Sequence, residues 1–216
     1  MEIIFLIAIL IMSVVIHEVA HGYVALMQGD PTAKYQGRLT LNPIVHLDMV
    51  GSVLLPGLLL LTSSPFLIGW AKPVPYNPYN FRDQRWGELW VAIAGPVTNI
   101  SIAIVFGLFL RFTLPLDTLS PAVVQISVMI VLINIVLALF NMIPVPPLDG
   151  SKVLFAFLPA RYYGIRRFME QYSFILIIAV IFILFSTNIL GYAIFTVFGM
   201  LVGDPQILFQ TLNALF

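Results

Sequence analysis

The 216-residue chain contains no cysteine. No disulfide can staple it and no thiolate can serve as nucleophile or ligand, so any metal must be held by histidine and carboxylate. Charge is nearly as scarce: charged residues are 9% of the chain and hydrophobic residues 60%. An ordinary soluble domain carries roughly 25% charge, so a soluble enzyme is excluded. Ten basic and ten acidic residues cancel, which leaves no basic patch for nucleic acid and no charged tail. The first apolar run also lacks the basic n-region and small-residue cleavage site of a secretory signal. What the chain does have is long uncharged runs, at 3–16, 49–71, 89–110, 118–148 and 171–203. About 20 apolar residues make one helical crossing of a bilayer, so the expected class is an all-α polytopic membrane protein.

Nine of the ten basic residues fall in three loops: Lys34 and Arg38; Lys72, Arg82 and Arg85; Lys152, Arg161, Arg166 and Arg167. The positive-inside rule places all three in the cytoplasm. The N-terminus, the 114–120 loop and the tail after Asp204 then face outward, with Arg111 snorkelling from a helix end. Two cytoplasmic loops flank the run 49–71, so that run must enter and leave on one side. Pro56, Gly57, Ser63, Ser64 and Pro65 interrupt it, and a re-entrant hairpin is expected. Spans are expected at about 3–27, 87–111, 121–143 and 172–190. The stretch 189–203 either continues the last helix or turns back after Ser186, Thr187 and Asn188. The alternation in "YQGRLTLNP" (35–43) predicts a short exposed strand. "RYYGIRRFMEQY" (161–172) predicts an interfacial helix on the cytoplasmic leaflet. No repeat or linker divides the plan, so 1–216 reads as one domain, with about 151–216 as C-terminal helices.

His17, Glu18 and His21 form H-E-x-x-H. In a helix the two histidines project from one face toward one zinc, and Glu18 stands beside them to take a proton from water. Ionisable groups within a span are costly and point to function. Residues 3–16 make only about 21 Å of helix, short of the roughly 30 Å hydrocarbon core, so the first span must include the motif. That sets the site inside the membrane, toward the cytoplasm. A catalytic zinc usually takes three protein ligands. Asp149, His46 and Asp48 are the candidates for the third. Asp149 is favoured: it follows an uncharged run, sits in a turn broken by Pro144, Pro146 and Pro147, and lies at the depth of the motif. His46 is the main rival, in a polar loop where it needs no metal.

"HEVAH" in the first span, "AGPVTN" (94–99) in the next and "NMIPVPPLDG" (141–150) after the third resemble the three signatures of the site-2 protease family, intramembrane zinc metalloproteases. "GRLTLNPIVHLD" with "GWAKPVPYNP" resembles its compact prokaryotic branch. The resemblance implies a three-helix catalytic core over about 1–150 and one Zn2+ per chain, held by His17, His21 and Asp149. It implies Glu18 as general base, and Asn99 and Asn141 as aids to substrate binding or oxyanion stabilisation. It departs from larger members in having no PDZ insertion and no C-terminal nucleotide-sensing domain. The implied activity is hydrolysis of peptide bonds in or near transmembrane helices of membrane-protein substrates, as in regulated intramembrane proteolysis, in a prokaryotic cell membrane.

Helical substrates hide their peptide bonds, so they must unwind locally, and the 35–43 strand or the 49–71 hairpin would hold the unwound piece by strand addition. Asn99 and Asn141 have a plainer reading as hydrogen bonds between helices. The rival from another class is a non-proteolytic zinc-binding or zinc-transport membrane protein. A transporter would need further ionisable residues through the later spans, and 171–203 has none. A zinc hydrolase of lipids or small amides would share the same site.

Overall fold

The computed structural model describes residues 2–54, 58, 61, 62 and 71–215. Among the described residues, three helices are each long and apolar enough to cross a membrane: α1 (Glu2–Met27), α3 (Gly87–Thr113) and α4 (Pro121–Asn141). At 1.5 Å per residue, each spans roughly 30 Å or more. A single helical turn, α2 (Thr32–Tyr35), follows α1. The α3–α4 connection is short because its chemistry is that of a stop and a start. Leu114–Leu116 tightens to a 3-10 turn, Asp117 takes the left-handed conformation at φ 50°, and Ser120 caps α4 by accepting from Val123 N–H, with Pro121 in the first turn.

After α4 come α5 (Asp149–Phe157), α6 (Tyr163–Gln171), α7 (Ser173–Thr187), α8 (Ile189–Val202) and α9 (Gln206–Leu215). Helix α3 is central, packing against α1, α4, α5 and α8. The main core joins Ala103 and Leu110 of α3, Val128, Val131 and Ile135 of α4, Phe198 and Val202 of α8 and Leu208 of α9. Gly107 lets α8 approach, since a Cβ there would stand 2.8 Å from Leu201 Cβ. A second cluster, Ala25, Phe81 and Val91, joins α1 and α3 to the segment 71–86.

Residues 35–43 do not form the expected strand, and no strand occurs among the described residues. Tyr35 ends α2, and Gly37 turns the chain at φ +65°. The polar groups that a partner strand would have satisfied are taken up locally: Arg38 donates to the Val45 carbonyl, Arg38 N–H to Ala33 O, and His46 Nε2 pairs with Thr40 O at 2.9 Å. Met49–Leu54 is a π-helical turn. Most of the hairpin expected at 49–71 lies outside the described residues.

The last expected span, 172–190, is broken earlier. Helix α7 ends at Thr187, Asn188 is left-handed at φ 54°, and α8 packs onto α3 and α4, so 189–203 does not continue the same helix. Helix α6 meets α7 at a 79° bend.

Candidate active site

His17 and His21 stand one turn apart on the face of α1 that looks at α3. The matching stripe of α3 is Val91, Gly95 and Asn99, each four residues from the next. Its two ends accept hydrogen bonds: Val91 O lies 2.6 Å from His21 Nδ1 and Asn99 Oδ1 lies 2.5 Å from His17 Nδ1. Its middle must be empty. A Cβ on Gly95 would fall 2.5 Å from His17 Nε2 and from His21 Nε2. The stripe therefore grips each imidazole by Nδ1 and leaves both Nε2 atoms pointing the same way, 3.0 Å apart.

The third group arrives from far along the chain. The turn 142–148 after α4 brings Asp149 to the first residue of α5, and Gly150 is what lets that turn close, since a Cβ there would collide with the Met142 carbonyl. Asp149 Oδ2 lies 3.2 Å from His17 Nε2 and 3.2 Å from His21 Nε2. All three residues are buried. Zinc bonds of about 2.0–2.1 Å in a tetrahedron set donor atoms roughly 3.3 Å apart. A triangle with edges of 3.0–3.2 Å fits that face of the tetrahedron, and the donor set of two imidazoles and a carboxylate is one that zinc takes in catalytic sites.

Lys152 Nζ lies 3.5 Å from Asp149 Oδ1 and 5.2 Å above the Tyr76 ring. The two oxygens of Asp149 thus have different tasks, one facing the imidazoles and the other facing an ammonium.

Glu18 is partly exposed beside His17. Its Oε2 accepts the Val74 N–H at 2.8 Å. Val74 belongs to an extended strap, residues 71–77, laid across this end of the molecule. The strap is also tied by Lys72 N–H to His46 O at 2.8 Å and by Asn77 N–H to Asp30 Oδ2 at 2.7 Å. Gly22 makes room for it, as a Cβ there would meet Val74 Cγ1 at 2.8 Å.

The other residues named from sequence fall elsewhere. His46 is buried in its own loop against Thr40 O, and Asp48 caps the turn at Val50 and Gly51, so neither joins His17 and His21. Asn99 is fully buried, with Oδ1 on His17 and Nδ2 on Asn134, which is the interhelical reading extended to a histidine. Asn141, at the end of α4, donates to Leu137 O of its own helix at 2.9 Å and makes no hydrogen bond to His17, Glu18, His21 or Asp149. Sequence reasoning passed over Asn134, Ser13, Lys152, Tyr76 and Val74. An asparagine in the middle of the uncharged run 118–148 was the available signal for the first, because a polar side chain inside a span needs a partner.

Comparison with known proteins gives a consistent picture. The profile described as Peptidase family M50 matches residues 116–187. "Putative zinc metalloprotease YwhC" of Bacillus subtilis (strain 168) is 37% identical over 221 aligned residues, covering 98% of this chain and 92% of that one. MJ0611 of Methanocaldococcus jannaschii, whose name carries the same description, is 32% identical over 65% of this chain and 63% of its own. "Zinc metalloprotease MJ0392" of the same organism is 28% identical over 71% of this chain and 34% of its own. No solved structure matches the chain.

Proposed function

Because the chain belongs to peptidase family M50, the site-2 protease family of zinc metalloproteases, we propose that it hydrolyses peptide bonds in or near transmembrane helices of membrane-protein substrates. Its Zn2+, one per chain, would be held by His17, His21 and Asp149. The observation that carries this reading is the approach of Asp149 Oδ2 to within 3.2 Å of both Nε2 atoms across 132 residues of sequence separation from His17. The chemistry a bound zinc would supply is that of a Lewis acid, toward a water and the scissile carbonyl. The residues of the chain supply the rest. Glu18 takes the proton of the attacking water and returns it to the leaving amine. The Val74 N–H holds one carboxylate oxygen of Glu18, so the other is left to act as the base.

Two features support a site inside the membrane and toward the cytoplasm. His17 is 13 residues past Ile4, the start of the first apolar span, or about 20 Å along it. Every basic residue but Arg111 lies in the three segments that meet at the end of the molecule with the strap and Asp149, where the positive-inside rule puts the cytoplasm. Substrates therefore meet the site from the bilayer. A substrate helix must unwind to present a peptide bond, so Gly, Pro or Asn near the cut should favour cleavage.

The test uses the purified full chain with a model transmembrane substrate. Glu18→Gln is expected to keep zinc and lose cleavage by about 10²–10⁴-fold, the contribution of a positioned general base. Cleavage by Glu18→Gln at the wild-type rate refutes the assigned base. Asp149→Ala is expected to lose zinc while His46→Ala keeps it, and the reverse pattern overturns the ligand set.

A further inference from the structure

The reading of His17 as a metal ligand leaves one property unexplained: how the correct nitrogen comes to face the metal. An imidazole can serve only through the nitrogen that carries no proton, and a neutral histidine has two tautomers. For His21 the answer is direct. Its Nδ1 lies against a backbone carbonyl, Val91 O, which can only accept, so Nδ1 carries the proton and Nε2 keeps its lone pair. His17 has no such carbonyl. Its Nδ1 meets the side-chain amide of Asn99, and an amide can present either an acceptor or a donor according to which way it is turned.

We propose that Asn134 and Ser13 are positioning residues that set the tautomer of His17 by fixing which way the Asn99 amide faces. This rests on the reading of His17 as a zinc ligand. The four residues make one buried chain across the three long helices: Ser13 on α1, Asn134 on α4, Asn99 on α3 and His17 on α1 again, with exposures of 4%, 0%, 0% and 5%. Its polarity is determined at the far end. Asn134 Nδ2 lies 2.9 Å from Ile130 O, a backbone carbonyl that can only accept, and 3.0 Å from Ser13 Oγ. With Nδ2 held there, Asn134 Oδ1 faces Asn99 and takes its Nδ2 at 2.7 Å. The Nδ2 end of the Asn99 amide is then held on the side of Asn134, and its Oδ1 is the atom left facing His17 Nδ1. His17 must donate at Nδ1, and its lone pair is at Nε2, beside His21 Nε2 and Asp149 Oδ2.

Both histidines are therefore set by backbone carbonyls, His21 in one step and His17 in three. For holding the helices together it does not matter which atom of Asn99 meets His17, whereas for setting the tautomer it decides the outcome. Ser13 is the weaker anchor, because Asn134 keeps Ile130 O without it. Loss of the Asn134 amide is the decisive change, since it frees Asn99 to turn its donor toward His17 and favour the proton on the wrong nitrogen.

The test is made on the full chain in lipid nanodiscs, with zinc affinity measured by chelator competition and the imidazole N–H signals followed by NMR on ¹⁵N-histidine protein. Zinc-loaded wild type is expected to show a hydrogen-bonded Nδ1–H at both His17 and His21. Asn134→Leu is expected to weaken zinc binding by about 10- to 100-fold, the usual effect of losing a group that orients a ligand. It should displace or erase the His17 signal and leave that of His21 in place. Ser13→Ala should change both quantities in the same direction and by less. The proposal is overturned if Asn134→Leu binds zinc as tightly as wild type with the His17 signal unmoved, or if both histidine signals are lost together, which marks a general structural role. Where Asn134→Leu does not fold, the wild-type spectrum decides: a His17 Nδ1 without a hydrogen-bonded proton in the zinc-loaded protein refutes the proposal. His17→Ala separates this result from the underlying reading, because undiminished zinc binding there refutes the ligand assignment itself.

Discussion

A single hydrogen atom on Gly95 decides whether the two imidazoles can meet. The smallest addition, Gly95→Ala, would place a methyl carbon 2.5 Å from both Nε2 atoms, closer than any carbon–nitrogen contact tolerates. Overpacking of this kind costs about 1–3 kcal/mol where the surroundings can give, and here the first groups to give are the imidazoles. Gly95→Ala is therefore expected to lower the zinc bound per chain while leaving helix content unchanged, checked by metal analysis alongside circular dichroism. Gly107→Ala makes the contrast, because its methyl meets Leu201 Cβ at 2.8 Å in the α3–α8 contact. It should lower the thermal midpoint and leave zinc content alone. Equal zinc in the Gly95 and Gly107 variants would show that the stripe on α3 does not shape the site. At this scale the sequence was partly legible. His17, Glu18 and His21 stand out because a helix turns the i, i+4 spacing into proximity. Asp149 stands out because an unpaired carboxylate at that depth is costly. Gly95, Asn134 and Ser13 act through which atom of a neighbour they face, and no spacing within one helix carries that information.

The strap 71–77 shows how an element without regular secondary structure can be held. Pro73 and Pro75 keep it extended and remove donors, so its position depends on a few bonds, and Asp30 makes one of them and anchors the turn that follows. This buried carboxylate accepts from Asn77 N–H at 2.7 Å, Asn80 Nδ2 at 2.8 Å and Thr32 N–H at 3.2 Å. Burial pushes its carboxyl up, but the hydrogen bonds from Thr32, Asn80 and Asn77 outweigh that and leave it below its ordinary value of 3.8. A lowered native value stabilises the fold in full above the unfolded value and loses its contribution as pH falls through the native one. The strap should accordingly keep its amide protection from neutral pH down to about 4 and lose it below, read by hydrogen exchange at Asn77 and Val74. Asp30→Asn, which cannot ionise, should exchange faster at pH 7 and flatten that dependence, with zinc content unchanged. Protection that persists undiminished in Asp30→Asn would show that the strap is held by something else. The strap was visible in the sequence only as a proline-rich loop, because its partners lie on α1 and in the His46 loop. The strand expected at 35–43 failed for a related reason. Alternation of apolar and polar residues describes a strand only when another strand is there to pair with, and here Arg38 and His46 close the loop on itself.

Over the whole molecule the charge pattern and the packing give two independent accounts of which ends share a side of the membrane. The charge pattern puts Lys34, Arg85 and Arg167 in the cytoplasm and the 114–120 loop and Asp204 outside. The packing reaches the second pairing without any reference to charge. Arg111, at the end of α3, donates to Met200 O of α8 at 2.8 Å, and Arg111, Leu114, Pro115, Gly203 and Asp204 line one open hollow. The end of α8 therefore lies beside the α3–α4 turn, at the opposite end of α3 from Gly87, the strap and the metal-binding cluster. If the charge pattern is right, the passage from Arg167 to Gly203 crosses from one face to the other, and it holds two helices, α7 of 15 residues and α8 of 14, about 22 and 21 Å long. With no cysteine in the chain, every introduced thiol reports alone. Single variants Lys34→Cys, Arg85→Cys and Arg167→Cys, all at exposed positions, are expected to react with a membrane-impermeant maleimide only when the cytoplasmic face is open to it. Thr118→Cys and Asp204→Cys, also exposed, should react in intact cells. If Asp204→Cys and Thr118→Cys label from different sides, the packing of α8 on α3 is wrong. If they label together but from the cytoplasm, the packing stands, and the site that His17, His21 and Asp149 build faces the other side of the membrane.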